Sequence, residues 1–351
     1  MFQVKDAVIP VGSWILVTGT NGYIASHVAD ELLQLGYNVR GSVRNLEKSH
    51  WIQDLFNQRY GDNRFELVLV EDATRKGAFE ESVKGVSAVA HVATILGSPG
   101  SPVEFISSVV DMNCNVLETA AKETSVKRFV YTSSSESAVY TSVDQPGESP
   151  VTSRSWNELA ITRAQGVSSP SRGFDVYAAS KTRGEQTIWT WIREHKPGFV
   201  ANTVLPSLCF GGSIDPQNQG HPSSSGWPVA IFQNHIDPIM PILNSIVPRG
   251  TYCVDVQDVA ALHVAGLLHP NVESERIFAF GAPFHWADIV TGFSKLFPER
   301  DFPTNMTGLG EQEKVLNIES AERSAGLLKE MGWSGWTLLE DTLKANIADL
   351  V

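Results

Sequence analysis

Short apolar runs alternate with helix-like patterns along the first two hundred residues. Runs rich in β-branched and other apolar residues predict strands at residues 14–18, 38–43, 65–70, 88–92, 128–132 and 200–205. Apolar positions with a helical period predict helices that include residues 27–35, 112–124 and 177–195. Because strands that alternate with helices pair in parallel, the pattern predicts an α/β fold with a doubly wound parallel sheet.

The pattern changes after Pro206. Residues 211–226 are rich in Gly, Pro, Ser and Asn, which predicts a mobile cover. A strand followed by a helix returns at residues 252–268, and residues 317–350 are mostly helical around a turn with Trp333 and Trp336. We therefore expect a main domain over residues 1–206, with a return near 250–290. A smaller C-terminal lobe and cover would comprise residues 207–249 and 291–351.

Composition narrows the function classes. The 351-residue chain is 42% hydrophobic and 19% charged, which is ordinary for a globular protein. Its formal net charge of −12 argues against nucleic acid or an anionic membrane as a partner. No apolar run reaches the roughly 20 residues of a membrane helix. The three cysteines, Cys114, Cys209 and Cys253, fit neither a disulfide framework nor a metal motif, so we expect a cytoplasmic protein without a metal site.

A glycine turn follows the first predicted strand, with the sequence TGTNGYIA at residues 18–25. Gly19 permits a sharp turn, and Gly22 lets the backbone approach a pyrophosphate at a helix N-terminus, where free amides favour negative charge. Such a turn can also be an ordinary strand–helix connection. Its place in the first strand–helix unit favours a Rossmann-type dinucleotide site. The other turn residues expected at the cofactor are Asn21, Tyr23 and Ile24.

The second predicted strand ends in a basic segment. It reads VRGSVR at residues 39–44, and no acidic residue occurs between Asn38 and Leu46. A site for NAD would place a carboxylate there to bind the ribose 2′-hydroxyl, whereas the planar fork of Arg44 suits a 2′-phosphate. The segment therefore favours NADPH/NADP, bound by Arg44 and Lys48. The alternative is that both are solvated surface charges.

Tyr177 and Lys181 are four residues apart in YAASK, within a helical pattern that places them on one face. A carbonyl that accepts hydride develops alkoxide charge and needs a proton. A phenol with a pKa of about 10 recycles that proton poorly near neutrality unless a cation stabilises the phenolate. Lys181 can supply that charge and hold the nicotinamide ribose, so Tyr177 is predicted to be the general acid.

Hydroxyl side chains follow the fifth predicted strand, in TSSS at residues 132–135. They fall at the carboxyl edge of the sheet, where ligands of open α/β folds bind. One of these hydroxyls should orient and polarise the carbonyl. Three consecutive serines leave open which one does so.

The order of these motifs resembles the extended short-chain dehydrogenase/reductase family. GxxGxxA at residues 19–25, TSS at 132–134 and YxxxK at 177–181 occur in the family's sequence order. Residues 21–27, 128–134 and 176–182 are similar to the dihydroflavonol-reductase-like branch, which includes fungal aldehyde reductases and yeast NADPH-dependent carbonyl reductases. The resemblance implies NADPH-dependent reduction of aldehydes, keto esters or aryl ketones to alcohols.

The resemblance also implies roles for individual residues. Ser134 matches the family's catalytic serine, with Ser133 as the alternative, and Asn113 matches a helix asparagine that supports the lysine through water. Asp72 and Ala73 match a pair that contacts adenine. The remaining residues expected at the cofactor are Val92, Ala93 and Thr94, beneath the ribose and nicotinamide, with Pro206 and Leu208.

Two other functions share this fold. A nucleotide-sugar epimerase or dehydratase would retain NAD, and a non-catalytic regulator would sense NADP; relatives of the second kind typically lose the tyrosine or the lysine. We expect a monomer or homodimer acting on a small-molecule carbonyl substrate. Its pocket is expected to be lined by residues 95–103, 157–172 and 211–235, which are not aligned with the family.

Overall fold

The computed structural model describes residues 6–95, 101–139, 150–166, 172–241, 243, 251–303 and 316–351. The strands are β1 (Trp14–Thr18), β2 (Asn38–Val43), β3 (Phe65–Leu69), β4 (Ala88–His91), β5 (Arg128–Thr132), β6 (Val200–Pro206), β7 (Leu208–Phe210), β8 (Thr251–Asp255), β9 (Arg276–Ala279) and β10 (Ala282–Phe284). The helices are α1 (Tyr23–Gln34), α2 (His50–Tyr60), α3 (Pro102–Lys122), α4 (Glu158–Ala164), α5 (Arg172–His195), α6 (Pro216–Gln219), α7 (Gly226–Phe232), α8 (Val256–Leu268), α9 (Trp286–Leu296), α10 (Ala321–Glu330) and α11 (Leu339–Asn346).

Seven strands form the main sheet, in the order β3-β2-β1-β4-β5-β6-β9. Every neighbouring pair is parallel. The predicted doubly wound α/β fold is confirmed, and the six predicted strands agree with the observed bounds to within one residue. The strand order reverses between β1 and β4, and ligands of open α/β sheets bind in the crevice at such a point.

Each predicted helix lies within or overlaps a longer observed one. Helix α3 begins ten residues before the predicted segment because Ser101 accepts a hydrogen bond from the Glu104 amide while the Glu104 carboxylate caps the Ser101 amide. Pro102 follows at the first helical position, where its missing N–H has no cost. The predicted pocket segments are described only in part, since residues 96–100 and 167–171 lie outside the described ranges.

Helices cover both faces of the sheet. On one face α1 and α8 pack together through buried side chains such as Leu32 and Leu262. On the other, α3 and α5 pack against the sheet and each other, with Val116 and Ile188 in the core. None of the helices in the described ranges combines the length and apolar character needed to span a bilayer.

A second, smaller sheet has the order β10-β8-β7 and carries its own apolar core. Phe232 is buried there, 5.3 Å from the Phe293 ring, so this residue of the predicted pocket segment serves packing. The segments that form the two sheets and their cores alternate along the chain more often than the predicted domain boundaries imply. Strand β8 joins the small sheet, whereas α10, with Leu327 and Leu328, packs into the main core.

Candidate active site

The glycine turn packs against the loop that follows β4. Gly19 has a φ of +68°, and a Cβ there would lie 3.1 Å from both Cα and Cβ of Ala93. Its amide donates to the Ser42 carbonyl at the end of β2, and the Gly22 amide donates to the Gly19 carbonyl at 2.8 Å. A side chain at Gly19 would therefore be strained and crowded, as the sequence predicted for a sharp turn.

The N-terminus of α1 is open to an anion. Its N-cap, Gly22, offers no side-chain cap, and the first turn contains no acidic residue. The first amides of a helix, here those of Tyr23 and Ile24, have no acceptor within the helix. Asn21 and Gly22 are exposed beside them. These amides and the helix dipole fit the pyrophosphate of a dinucleotide.

Residues 211–226, predicted to be a mobile cover, are anchored to this turn. The Tyr23 hydroxyl donates to the Gly211 carbonyl at 2.8 Å. The Gln219 side chain donates through Nε2 to the Asn21 carbonyl at 3.2 Å. The cover is thus hydrogen-bonded to the residues that would hold the pyrophosphate.

The basic residues after β2 divide into two groups. Arg40 is held in the fold by Glu66, at 2.5 Å, and by backbone carbonyls of residues 82 and 84. Arg44 and Lys48 are exposed, and within the described part of the chain their side chains have neither a hydrogen bond nor an ion pair. Arg44 directly follows the last residue of β2, so its guanidinium is available at the carboxyl edge of the sheet.

Asp72 forms a turn after β3. Its Oδ1 accepts the Thr74 amide at 2.9 Å and the Thr74 hydroxyl at 2.6 Å, and these hydrogen bonds lower the pKa of the carboxyl. Asn115 holds the same turn from α3, since its side chain donates to the Ala73 carbonyl at 3.1 Å. Asn115 was not among the residues predicted from the sequence, although it lies two residues after Asn113. Adenine binding by Asp72 and Ala73 stays a prediction.

The loop after β4 is fixed by a buried threonine. The amides of Val92 and Ala93 both donate to Thr18 Oγ1 at 3.0 Å, and Thr94 continues the loop as a partly exposed residue. Thr18 Oγ1 also lies 2.9 Å from His91 Nδ1. His91 is the last residue of β4 and is fully buried. His91 was not predicted from the sequence, where its only signal is a polar residue in an apolar strand.

The two candidate serines have different partners. Ser133 donates to Glu185 Oε2 at 2.8 Å. Glu185 also accepts the hydroxyls of Ser137 and Thr203 and pairs with Arg276, all in the interior. Ser134, in contrast, acts on Tyr177, whose pKa its side chain lowers, and its Oγ accepts the Glu136 amide at 3.2 Å. Of the two serines, it is Ser134 that the fold brings to the tyrosine.

Tyr177 and Lys181 lie one turn apart on α5. Burial raises the pKa of Tyr177 to about 12, and the hydrogen bond from Ser134 acts in the opposite direction. Lys181 is buried, and its Nζ donates to the Thr132 carbonyl at 3.1 Å. Burial lowers the pKa of Lys181 to about 8, while the Glu185 carboxylate one turn further opposes that shift.

Asn113 lies behind these groups on α3. Its Oδ1 is 3.1 Å from His91 Nε2, and its side chain also interacts with Tyr131, whose pKa this interaction lowers. No direct hydrogen bond joins Asn113 to Lys181 in the described part of the chain. Pro206 is the buried last residue of β6, and Leu208 is the partly exposed first residue of β7. Both follow the β6 segment that pairs with β5.

A family model described as the NAD dependent epimerase/dehydratase family matches residues 15–281. Aldehyde reductase 2 of Sporidiobolus salmonicolor is 35% identical over 348 residues, which cover 98% of each chain. Ketoreductase adrE of Penicillium rubens is 36% identical over 99% of each chain. A solved structure of Gre2 from Candida albicans in complex with NADPH has a TM-score of 0.78 at 22% identity, covering 97% of this chain and 99% of that one.

Proposed function

Because the chain belongs to the NAD dependent epimerase/dehydratase family of extended short-chain dehydrogenases/reductases, we propose that it uses this site to reduce aldehydes or ketones to alcohols with NADPH. One observation carries the proposal: Ser134, Tyr177 and Lys181 converge at the carboxyl end of β5. The names of the two curated relatives, an aldehyde reductase and a ketoreductase, support the same reaction class.

Binding of the reduced cofactor is supported by the open N-terminus of α1 and by the exposed side chains of Arg44 and Lys48. Tyr23 and Ile24 amides would receive the pyrophosphate, and Arg44 with Lys48 would receive the 2′-phosphate. The NADPH complex of Gre2 is consistent with this preference. When bound, NADPH supplies a hydride to the carbonyl carbon.

The chain's own groups would handle the proton and the charge. Ser134 donates to the carbonyl oxygen and orients it beside the Tyr177 hydroxyl. Tyr177 delivers a proton to that oxygen as the alkoxide forms. The cation of Lys181 stabilises the phenolate that remains, which matters because burial alone disfavours that charge.

The epimerase alternative has less support at the adenosine end. No carboxylate is available between Asn38 and Leu46 to bind a 2′-hydroxyl, and Arg40 is occupied by Glu66. A regulator that only senses NADP would not need Tyr177, Lys181 and a serine together. Tightly bound NAD in the purified protein would favour the epimerase.

The proposal is tested by mixing the purified protein with NADPH, and separately with NADH, plus a panel of aldehydes, β-keto esters and aryl ketones. The decrease in nicotinamide absorbance is followed for each. We expect oxidation that depends on a carbonyl compound and is faster with NADPH. Measurable NADPH binding without oxidation by any compound would contradict the proposal and favour the sensor.

A further inference from the structure

A buried chain of hydrogen bonds joins the loop after β4 to helix α3. Thr18, His91 and Asn113 are all fully buried. His91 Nδ1 lies 2.9 Å from Thr18 Oγ1, and His91 Nε2 lies 3.1 Å from Asn113 Oδ1. None of the reductase chemistry described above uses the imidazole, so its role needs a separate explanation.

The direction of each hydrogen bond follows from counting donors. Thr18 Oγ1 receives the amides of Val92 and Ala93, which can only donate. A hydroxyl has one proton and two lone pairs, so the proton of Thr18 must be donated to His91 Nδ1. Nδ1 is then the acceptor.

The other ring nitrogen is fixed in turn. Burial, with the nearby positive charge of Lys181, lowers the pKa of His91 to about 4, although the Asn113 hydrogen bond opposes the shift. The imidazole is therefore neutral, and its proton lies on Nε2. Nε2–H donates to Asn113 Oδ1, which orients the amide so that Nδ2 faces away from the histidine.

We propose that His91 is a positioning residue that couples the loop of Val92 and Ala93 to Asn113 on α3. The loop packs against Gly19 of the glycine turn, and α3 packs against α5, which carries Tyr177 and Lys181. One neutral ring thus fixes the cofactor side of the site relative to the catalytic helix. Its effect on turnover rests on the proposed function, whereas its tautomer does not.

Three substitutions at His91 separate its two hydrogen bonds, to Thr18 and to Asn113, which together form a bridge between the loop and α3. His91→Phe keeps a ring but removes both hydrogen bonds. His91→Asn keeps an acceptor near the Nδ1 position, and His91→Gln keeps a donor near the Nε2 position. Because small displacements of reacting groups cost up to about 10²-fold in rate, we expect His91→Phe to lower kcat by about 10-fold to 100-fold.

The KM for NADPH should change by less than about threefold in His91→Phe, because much of the binding energy comes from phosphate groups held at α1 and β2. Neither His91→Asn nor His91→Gln should restore kcat, since each rebuilds one half only. A purely structural role would lower the melting temperature without separating kcat from KM. Wild-type kcat and KM in a folded His91→Phe variant would overturn the proposal.

A double-mutant cycle checks the coupling. Thr18→Val removes the hydroxyl at the other end of the first hydrogen bond. Thr18→Val also removes the acceptor of the Val92 and Ala93 amides, so it lowers kcat by itself. If both residues act through one chain of hydrogen bonds, His91→Phe lowers kcat by a smaller factor in the Thr18→Val background than in the wild type. Losses in kcat that multiply would show independent roles and contradict the bridge.

The tautomer provides a test that needs no carbonyl substrate. The ring nitrogens of ¹⁵N-histidine-labelled protein are compared by NMR with those of His91→Phe, which identifies the His91 signals. We expect a neutral ring with its proton on Nε2. A proton on Nδ1, or a charged ring, at pH 7 would overturn the proposal. A neutral Nε2–H ring in a protein that oxidises no NADPH would reject the reductase function while supporting the bridge.

Discussion

The Ser133 hydroxyl donates to the Glu185 carboxylate at 2.8 Å, so its proton is committed to the interior of the protein. Its neighbour Ser134 contacts Tyr177 instead. The two serines, which the sequence leaves equivalent, are therefore expected to respond differently to the same substitution.

Ser134→Ala is expected to lower kcat by about 10²-fold or more, because it removes a donor to the developing oxyanion. Ser133→Ala should retain most of the turnover and instead lower the free energy of unfolding by about 1–2 kcal/mol, since a hydrogen bond to a buried charge is lost. Steady-state kinetics and denaturant unfolding of both variants provide the comparison. The reverse pattern would assign the catalytic role to Ser133.

Arg44→Glu is expected to lower the preference for NADPH over NADH. Loss of charge-assisted hydrogen bonds to the 2′-phosphate, with repulsion added, should reduce the ratio of kcat/KM for NADPH to that for NADH by about 10-fold to 100-fold. Arg193→Glu, an equal charge change on an exposed part of α5, is the control and should leave the ratio unchanged. If both variants kept the wild-type ratio, Arg44 would be a solvated surface charge.

The pH dependence of reduction should reflect Lys181. Its pKa is lowered to about 8 by burial, so the cation is present below pH 8 and is lost as the pH rises through that value. The kcat/KM for carbonyl reduction should therefore fall above about pH 8, because this parameter reports groups of the free enzyme. A kcat/KM that stays constant to pH 10 would show that the lysine charge does not contribute.

Gly184 lies one turn after Lys181 where α5 meets α3. A Cβ there would be 2.9 Å from Asn113 Nδ2 and from the Tyr131 hydroxyl. Gly184→Ala should lower the free energy of unfolding by about 1–3 kcal/mol through overpacking, despite alanine's helix propensity. Gly326→Ala in α10, with open space around it, should raise stability by up to about 1 kcal/mol. Equal stabilisation of both variants would show that the α3–α5 contact can relax.

The sequence predicted the main sheet well for a physical reason. Strands covered on both faces are continuous apolar runs, and β1, β5 and β6 stand out from the polar loops around them. Helix starts were less accurate because apolar periodicity begins only where a helix meets the core. The start of α3 was nevertheless readable, as Ser101, Pro102 and Glu104 form a local capping signal.

Local sequence patterns indicated the glycine turn after β1, and the spacing of Tyr177 and Lys181 that puts them one turn apart on α5. The candidate site was not predictable where a role depends on contacts between distant segments. Glu185 reads as an ordinary helical carboxylate until Arg276 is packed against it. His91 likewise gains its partners only when β1, β4 and α3 meet.

The most direct test of the central claim is to trace the transferred atom. The wild-type protein is incubated with an accepted carbonyl compound and NADPH deuterated at nicotinamide C4, using each of the two stereospecific labels, and the alcohol is examined by mass spectrometry. Tyr177→Phe, which retains the ring but has no proton to give, is the matched control. This variant should bind NADPH almost as well as the wild type, and its kcat should be lower by about 10²-fold or more.

We expect the alcohol to carry one deuterium on the former carbonyl carbon from one of the two labels, and we expect only the wild type to form it rapidly. An alcohol without deuterium from either label, or equal rates in the two proteins, would contradict the central claim.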